Sequence, residues 1–374
     1  MRIIFLQKKT DIQGGSKASL RNTLKAVSSL PGVEVELLGE APGVLSEFAE
    51  SLSIPFRTAP FPRWRNLRDR LCFDFVLKRF AKLLGPADWI ISNEMWWAPH
   101  AVVLAGYCGA SSAAIVRDEI ADLKKAKQYG FDRLDQVITV SEDLRAQFKA
   151  TSNLYARTKT IYNIVEQPVA NDETSAQLKD LCLDYPKVKR WVLSAGTICP
   201  RKDQILLVQA LAEMLRHHDE STGILFVGGH DSSNYQTLLR KAVADYALVD
   251  RVLFTGQISG IGSALEFASA KVLTSHSEGL PRVLIECALA GVPSISTKVS
   301  GVGEVYGNFA EQFVLESRSP SELAKKLKNL LDHREGDIIE TMKISVQGRF
   351  SKRAHVDAWN QFLALSNPES SRAR

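Results

Sequence analysis

Apolar residues recur along this chain in short dense runs and in stretches with a helical period, and the two alternate almost to the end. Residues 2–7 form the first dense run. After a glycine turn (DIQGGS), Leu20, Leu24, Val27 and Leu30 share one face of a helix predicted from about Lys17 to Leu30, with Ser16 as its N-cap. Further strands are predicted at 33–38, 88–92, 112–116, 136–141 and 158–163, with helices through Leu52, from about Leu67 and up to Lys149. Residues 165–172 (VEQPVAND) read as a connection, and a polar helix follows. The pattern then restarts with strands at 191–196, 223–229 and 251–256, and with helices from Gln204 to His217, through Ala247 and over 261–269. Helices at 318–331 and about Ala354–Leu365 close the chain, and the polar tail NPESSRAR is expected to fray. Such alternation predicts doubly wound parallel sheets in two α/β halves of similar size, without a clear sequence repeat. In sheets of this kind ligands bind beyond the carboxyl ends of the strands, which here run into GTICPRKD, GGHD, GQIS, SHSEG and SGVGE.

One of these loops departs from the bland pattern. Between AKVLT and VPSIST, the segment SHSEGLPRVLIECALAG predicts a loop holding Glu278, then a short helix opening at Pro281 and stopping at Gly291. Val283, Leu284, Ile285, Cys287, Ala288 and Leu289 make that helix apolar nearly all round, so it is expected to be buried, and Glu286 with it. A carboxylate there is costly to desolvate without a partner. Two explanations stand side by side: an ion pair with Arg282 one turn earlier, or a polar ligand held at a helix N-terminus, where phosphate groups bind well.

Composition changes this picture little. The 374 residues suit two domains; 45% apolar and 24% charged residues are ordinary for a globular protein, and a net charge of +5 argues neither for nor against nucleic acid, which is not among the expected partners. Five scattered cysteines without a CxxC pair suit a reducing compartment and exclude a disulfide framework or zinc site. No metal-ligand cluster is evident; the one adjacent histidine pair, His217-His218, falls at an expected helix end. The apolar run in MRIIFLQKK is too short for a signal peptide or a bilayer span, and the expected location is the cytoplasm.

Charge is uneven in one place. Residues 57–82 hold eight Lys or Arg against two Asp, with Trp64, Phe73, Phe75 and Phe80 interleaved. From about Leu67 this is an amphipathic helix with a basic face, fitted to an anionic membrane surface, to a phosphorylated acceptor, or simply to solvent. The paired tryptophans of NEMWWAPH either line a cleft or pack on a core.

Taken together, SEGLPRVLIECALAGVPSIST, the preceding FTGQIS and the following SGVGEV resemble the retaining glycosyltransferases of family 4 (glycosyl transferases group 1), which have the GT-B fold. The resemblance covers nearly all of the chain and is most specific in its second half, around the Glu-x7-Glu pair Glu278 and Glu286. It implies two Rossmann-like α/β domains facing each other across a cleft: residues 1–164 on the acceptor side, 165–345 binding the nucleotide sugar, and 346–374 packing back toward the first domain. It implies that Glu286 holds the nucleotide ribose, that Glu278 lies near the donor sugar, and that the amides around Gly279, Leu280, Arg282 and Val283 face the diphosphate. Pro281 stands where many relatives have glycine and offers no amide. AGTICPRKD resembles the family's phosphate loop, with Lys202 in the lysine position, Thr197 where an arginine is usual, and Arg201 as the substitute. Ile258 resembles the position whose backbone reads the base, and Gly229 a point of close approach to the donor. Gly14 and Gly15 resemble the glycine turn of the first domain, although a plain tight turn accounts for them equally. The usual acceptor-side histidine is missing after SAAIV, where Arg117-Asp118-Glu119 stand; His100 falls elsewhere, and Asp118 is the acceptor-side candidate, with helix capping as its other reading.

The resemblance thus implies transfer of a sugar from a nucleoside diphosphate sugar, with UDP or GDP as the nucleotide, to a hydroxyl of a glycan or lipid-linked acceptor. Retention, independence of metal, the absence of any cofactor and a role in polysaccharide or glycolipid biosynthesis come with it; separately, the basic aromatic segment 57–82 suggests peripheral attachment at the inner membrane face or docking of a lipid-linked acceptor. The alternatives are a nucleotide-sugar-binding pseudoenzyme, suggested by Thr197 and the missing histidine, or a sugar-nucleotide epimerase or phosphorylase on the same fold.

Overall fold

The dense apolar runs become strands buried on both faces, as parallel sheets covered by helices require. The computed structural model describes residues 1–11, 15–65, 67–120, 123–216, 221–231, 233–333 and 336–365. Gly14, the His217-His218 pair and the tail beyond 365 therefore lie outside the described residues. The chain divides into two units, Met1–Ile164 with Phe350–Arg374, and Val165–Arg349.

In the first unit the strands are β1 (Arg2–Leu6), β2 (Glu34–Gly39), β3 (Phe56–Thr58), β4 (Trp89–Ser92), β5 (Ser111–Val116), β6 (Gln136–Thr139) and β7 (Thr158–Thr160). They form one parallel sheet in the order β3-β2-β1-β4-β5-β6-β7, with Ile3 opposite Trp89 and Ile4 opposite Ile90 where β1 meets β4. The strand order reverses there, which opens a crevice beyond the ends of β1 and β4. In the second unit β8 (Arg190–Ala195), β9 (Thr222–Val227), β10 (Val252–Gly256), β11 (Ala268–Leu273), β12 (Ser294–Thr297) and β13 (Val314–Leu315) form a parallel sheet in the order β10-β9-β8-β11-β12-β13. Its reversal lies between β8 and β11. The expected fold class, two doubly wound parallel-sheet α/β domains, is the one observed.

Several boundaries differ from the expectation. The first helix begins at Gly15, so Ser16 lies inside it and its hydroxyl donates to the Glu94 carboxylate (3.2 Å) instead of capping. The helix expected over 261–269 ends at Phe267 because Ala268 already pairs with Trp191 in the sheet. The helix Leu67–Leu84 forms where expected, burying Phe73, Leu77, Ala81 and Leu84 and exposing Phe75 and Leu83 among Lys78, Arg79 and Lys82. No helix among the described residues is long and apolar enough to cross a membrane.

The first unit is completed from the far end of the chain. The helix Lys352–Leu365 packs on Gly15–Ser28 and sets Trp359 edge-on to Phe5 (5.9 Å between centroids) and Phe362 against Trp89 (5.0 Å). His355, buried beneath, donates from Nδ1 to the Tyr162 carbonyl (2.6 Å) and accepts at Nε2 from the Trp359 indole (3.1 Å), a neutral tautomer. Burial lowers its pKa to about 4, with the Tyr162 carbonyl opposing and Arg117 assisting. His100, buried on the same sheet with Nε2 on the Pro62 carbonyl (3.0 Å), is likewise lowered to about 4, chiefly by burial. Both folded pKa values lie below the unfolded 6.5, so the unfolded chain binds more protons between them. Stability is complete above about pH 6.5 and declines as pH falls toward 4, by up to roughly 3 kcal/mol per histidine. Urea unfolding at pH 7 and pH 5 is expected to show this loss and His355→Gln to flatten it; equal pH slopes in variant and parent would refute the linkage.

Candidate functional site

At the reversal between β8 and β11, two loops leave adjacent strands and meet. The first is Gly196–Asp203. Gly196 turns with φ 135° and its amide donates to the Val227 carbonyl (2.8 Å); Ile198 donates to the Gly229 carbonyl (2.8 Å). Gly228 turns with φ 138° and passes so close that a Cβ on it would lie 2.3 Å from the Gly196 carbonyl oxygen. Gly229, the residue expected at a close approach to the donor, has open space around it: the nearest protein atom to a Cβ there is a Gln257 side-chain oxygen at 3.9 Å. The loop ends in a short turn, Pro200–Lys202, and Asp203 takes the left-handed region (φ 44°), which aspartate tolerates better than most residues.

The second loop, Thr274–Pro281, is stitched to the first. Thr274 donates to the Lys202 carbonyl (2.7 Å), and the His276 amide to the Arg201 carbonyl (2.8 Å). The Arg201 guanidinium donates to the Ser277 carbonyl (2.7 Å). Arg318, from the segment after β13, clamps both loops by donating to the Thr274 (2.7 Å) and Ser275 (2.9 Å) carbonyls and to Asp203 (2.5 Å).

This stitching brings together Glu278, Lys202 and Arg201. Lys202 Nζ lies 2.5 Å from Glu278 Oε1, which also accepts from Ser275 (2.6 Å), and Arg201 lies 3.4 Å from Oε2. Burial pushes the Glu278 carboxyl up, but Lys202, Ser275 and Arg201 outweigh it and hold the group below the usual carboxylate range. Lys271, wholly buried in β11, donates to the Val272 carbonyl; burial brings its pKa down to about 8, with Cys287 and Glu278 opposing and Lys202 assisting.

The helix Arg282–Ala290 opens beside Pro281 and stops at Gly291 in the left-handed region (φ 74°), as its punctuation predicts. Leu284, Ile285, Cys287, Ala288 and Leu289 are buried. Glu286 is mostly so; burial raises its pKa and Arg282, at 3.7 Å, opposes. The ion pair foreseen as the plain explanation is therefore present, but long. Of the amides at this helix end, Arg282 donates to the Leu280 carbonyl (2.9 Å) and Leu284 to that of Pro281 (2.9 Å). That engages the expected Arg282 amide within the turn. Gly301 (φ 82°) packs the SGVGE loop on this one, a Cβ there meeting the Gly279 carbonyl oxygen at 3.0 Å.

The remaining expected residues are more dispersed. Thr197 is exposed and its carbonyl accepts from Gln204 (3.0 Å); Ile258 is half-buried against the second unit's core. In the first unit Gly15 opens its helix with open space around it, and Gly14 lies outside the described residues. Asp118 follows β5, and the next described helix is Leu123–Gln128; residues 121–122 between them lie outside the described residues, so its capping reading does too. Sequence reasoning missed Asp203, Arg318, Lys271 and a first-unit network at the same sheet edge. There Arg117 reaches Asn93 Oδ1 (2.6 Å) and Asn163 Oδ1 (2.8 Å), while Asn93 donates to Gln7 (2.6 Å). Only a lysine inside an apolar strand run and an Asp after Lys202 signalled any of these. Among the described residues no three His, Cys, Asp or Glu side chains are grouped to hold a metal ion.

Residues 183–345 match the family model for glycosyl transferases group 1. Over 169 residues the chain is 31% identical to the Vi polysaccharide biosynthesis protein VipC/TviE of Salmonella typhi, covering 44% of this chain and 28% of that one. It is 26% identical over 210 residues to the N-acetyl-alpha-D-glucosaminyl L-malate synthase of Bacillus anthracis, covering 56% and 53% respectively. The matched stretch thus spans about half or less of these curated relatives. Among solved structures, Anabaena HepE in complex with UDP superposes with a TM-score of 0.81 at 18% identity, covering 97% of this chain and 100% of HepE. HepE has also been solved with UDP-glucose. At that identity the likeness is one of fold, the two-domain α/β fold of the GT-B glycosyltransferases.

Proposed function

We propose that this chain transfers a sugar from a nucleoside diphosphate sugar to a hydroxyl of a glycan or lipid-linked acceptor, retaining the anomeric configuration and needing no metal. One observation carries the reading: Lys202 and Arg201 converge on Glu278 beside an opening helix, at the strand reversal where α/β sheets bind ligands. The match to the group 1 family over 183–345 and the UDP held by HepE support it.

In this mechanism the bond between C1 of the sugar and the leaving phosphate oxygen breaks while the acceptor oxygen bonds to C1 on the same face. The acceptor proton passes to the departing phosphate. Negative charge grows on the diphosphate, and preorganised donors stabilise it without reorganising. Lys202 and Arg201 supply fixed cations, and the Leu280 and Val283 amides a helix N-terminus. Glu278, kept ionised by Lys202, accepts from hydroxyls of the donor sugar; Glu286 accepts from the ribose hydroxyls, and the backbone at Ile258 meets the base. With the phosphate taking the proton, a protein base is dispensable, which accommodates the missing histidine. Transfer to added acceptor separates this reading from a pseudoenzyme, which binds nucleotide and turns nothing over.

Glu286→Ala is expected to weaken nucleotide binding about tenfold or more, since it removes a charged hydrogen-bond acceptor from the ligand. Calorimetry with UDP, GDP and ADP measures this and ranks the bases. Unchanged affinity would sink the ribose assignment.

A further inference from the structure

The strand reversal in the first sheet holds a second built cavity. It measures about 550 Å³, within the range of small-molecule sites, and is lined by the residues that follow β1 and β4 and by the segment before the helix Leu67–Leu84. Its walls are aromatic. Phe61 and Trp64 are buried; Trp97 stands edge-on to Phe61 (5.4 Å), and Trp96, over a third exposed, stands edge-on to Tyr129 (5.1 Å). Its rim is cationic: Lys8, Lys9, Lys17, Arg63 and Arg65 against Asp69 and Glu94. Lys17 is committed to Glu94 (3.2 Å) and Lys8 to Glu40 (3.5 Å). Lys9, Arg63 and Arg65 are exposed and have no carboxylate in ion-pair reach among the described residues. Asp69, half-buried, lines the cavity as well and brings a carboxylate to it. A carboxylate in such a lining accepts hydrogen bonds from hydroxyl groups.

Three demands meet in one space: a flat apolar face for the indole rings, an anion for the uncommitted cations, and a hydroxyl for Asp69. Nucleic acid meets the first two, but two carboxylates in the lining repel a chain with a phosphate at every residue. A phospholipid surface offers no ring to stack in a cavity. We propose that this cavity binds an acidic saccharide, a sugar ring carrying a carboxylate or phosphate group, as the acceptor of the transfer proposed above, on which this inference rests. The sugar's C–H face lies on Trp96 or Trp97, its acidic group meets Arg63, Arg65 and Lys9, and a ring hydroxyl donates to Asp69.

Calorimetry on the full chain tests this with a glucuronate-containing disaccharide, its carboxyl-reduced neutral counterpart, glucose 1-phosphate, and phosphatidylglycerol vesicles. The acidic disaccharide or the sugar phosphate is expected to bind at least tenfold more tightly than the neutral sugar, and which of the two does so identifies the acidic group. The double variant Arg63→Ala, Arg65→Ala and the single variant Trp96→Ala are each expected to weaken that binding tenfold or more, with UDP affinity unchanged. Equal affinity for acidic and neutral sugars, binding indifferent to both variants, or binding to vesicles alone overturns the proposal. UDP titration of the parent protein stands apart: its failure would count against sugar transfer, whatever the saccharide arms show.

Discussion

Lys202→Ala is expected to cut turnover by about 10³-fold and to destabilise the second unit at the same time. The two losses have different origins. Turnover falls because the diphosphate loses a fixed cation at the point where its charge grows. Stability falls because Glu278, 2.5 Å from the ammonium and little exposed, is left as a buried carboxylate with the more exposed and more distant Arg201. Its pKa then rises, since burial is the largest influence on it and Lys202 the main counterweight. The pair can be dissected by a second change. Glu278→Gln in the Lys202→Ala background removes the stranded charge, so it is expected to restore most of the urea stability and none of the turnover. Turnover within a few-fold of the parent protein in Lys202→Ala would remove the lysine from the chemistry, whatever happened to stability.

Gly228→Ala is expected to cost about 3–5 kcal/mol, the range of steric clashes combined with backbone strain. The methyl would sit 2.3 Å from the Gly196 carbonyl oxygen, and φ 138° is a region that side chains avoid. Neither partner yields easily, because the Gly228 amide donates to the Gly256 carbonyl (2.8 Å) and Gly196 to Val227 (2.8 Å). The strain passes directly into the loop carrying Arg201 and Lys202, so donor binding weakens too. Gly229→Ala is the control, with an expected cost within about 1 kcal/mol because its surroundings are open. Fluorine NMR on 5-fluorotryptophan-labelled protein follows Trp191 in β8 apart from the first unit's indoles during urea unfolding. Equal midpoints for the two glycine variants would refute the steric account.

That contrast marks the limit of sequence reading at this site. GG at 228–229 predicts a turn, but which glycine is sterically required depends on the strand lying beside it. Glu278 and Glu286 were legible through the Glu-x7-Glu pair in its strand–loop–helix context, and Lys202 only through the resemblance of AGTICPRKD to a phosphate loop; that Lys202 meets Glu278 is what the structure adds. Arg318 and Asp203 were not, since their partner in each case comes from a segment about a hundred residues away. Longer strands with both faces buried were legible, as in WVLSAG and GILFVGG, whereas the buried but two-residue β13 was not. β3 was missed because it is a three-residue edge strand holding an arginine. The helix Ala98–Cys108 was missed because its apolar residues surround it and leave no period to read. Gly336–Arg349 was missed for the opposite reason, burying only Met342 and Val346 of its residues. Lys271 lay in plain view within a predicted strand, yet its burial follows from the sheet order.

The helix Lys352–Leu365 sets an order on the making of this protein. Every strand of the first sheet has been synthesised by residue 160, but the indole of Trp359 that covers Phe5 is still unmade. Roughly 200 further residues must be synthesised first, which at about 5–20 residues per second takes on the order of 10–40 seconds. The second unit, drawn from the uninterrupted stretch Val165–Arg349, has all its parts before that wait is over. The half of the chain translated first is therefore the half completed last, with Phe5 and Trp89 waiting for their aromatic partners meanwhile.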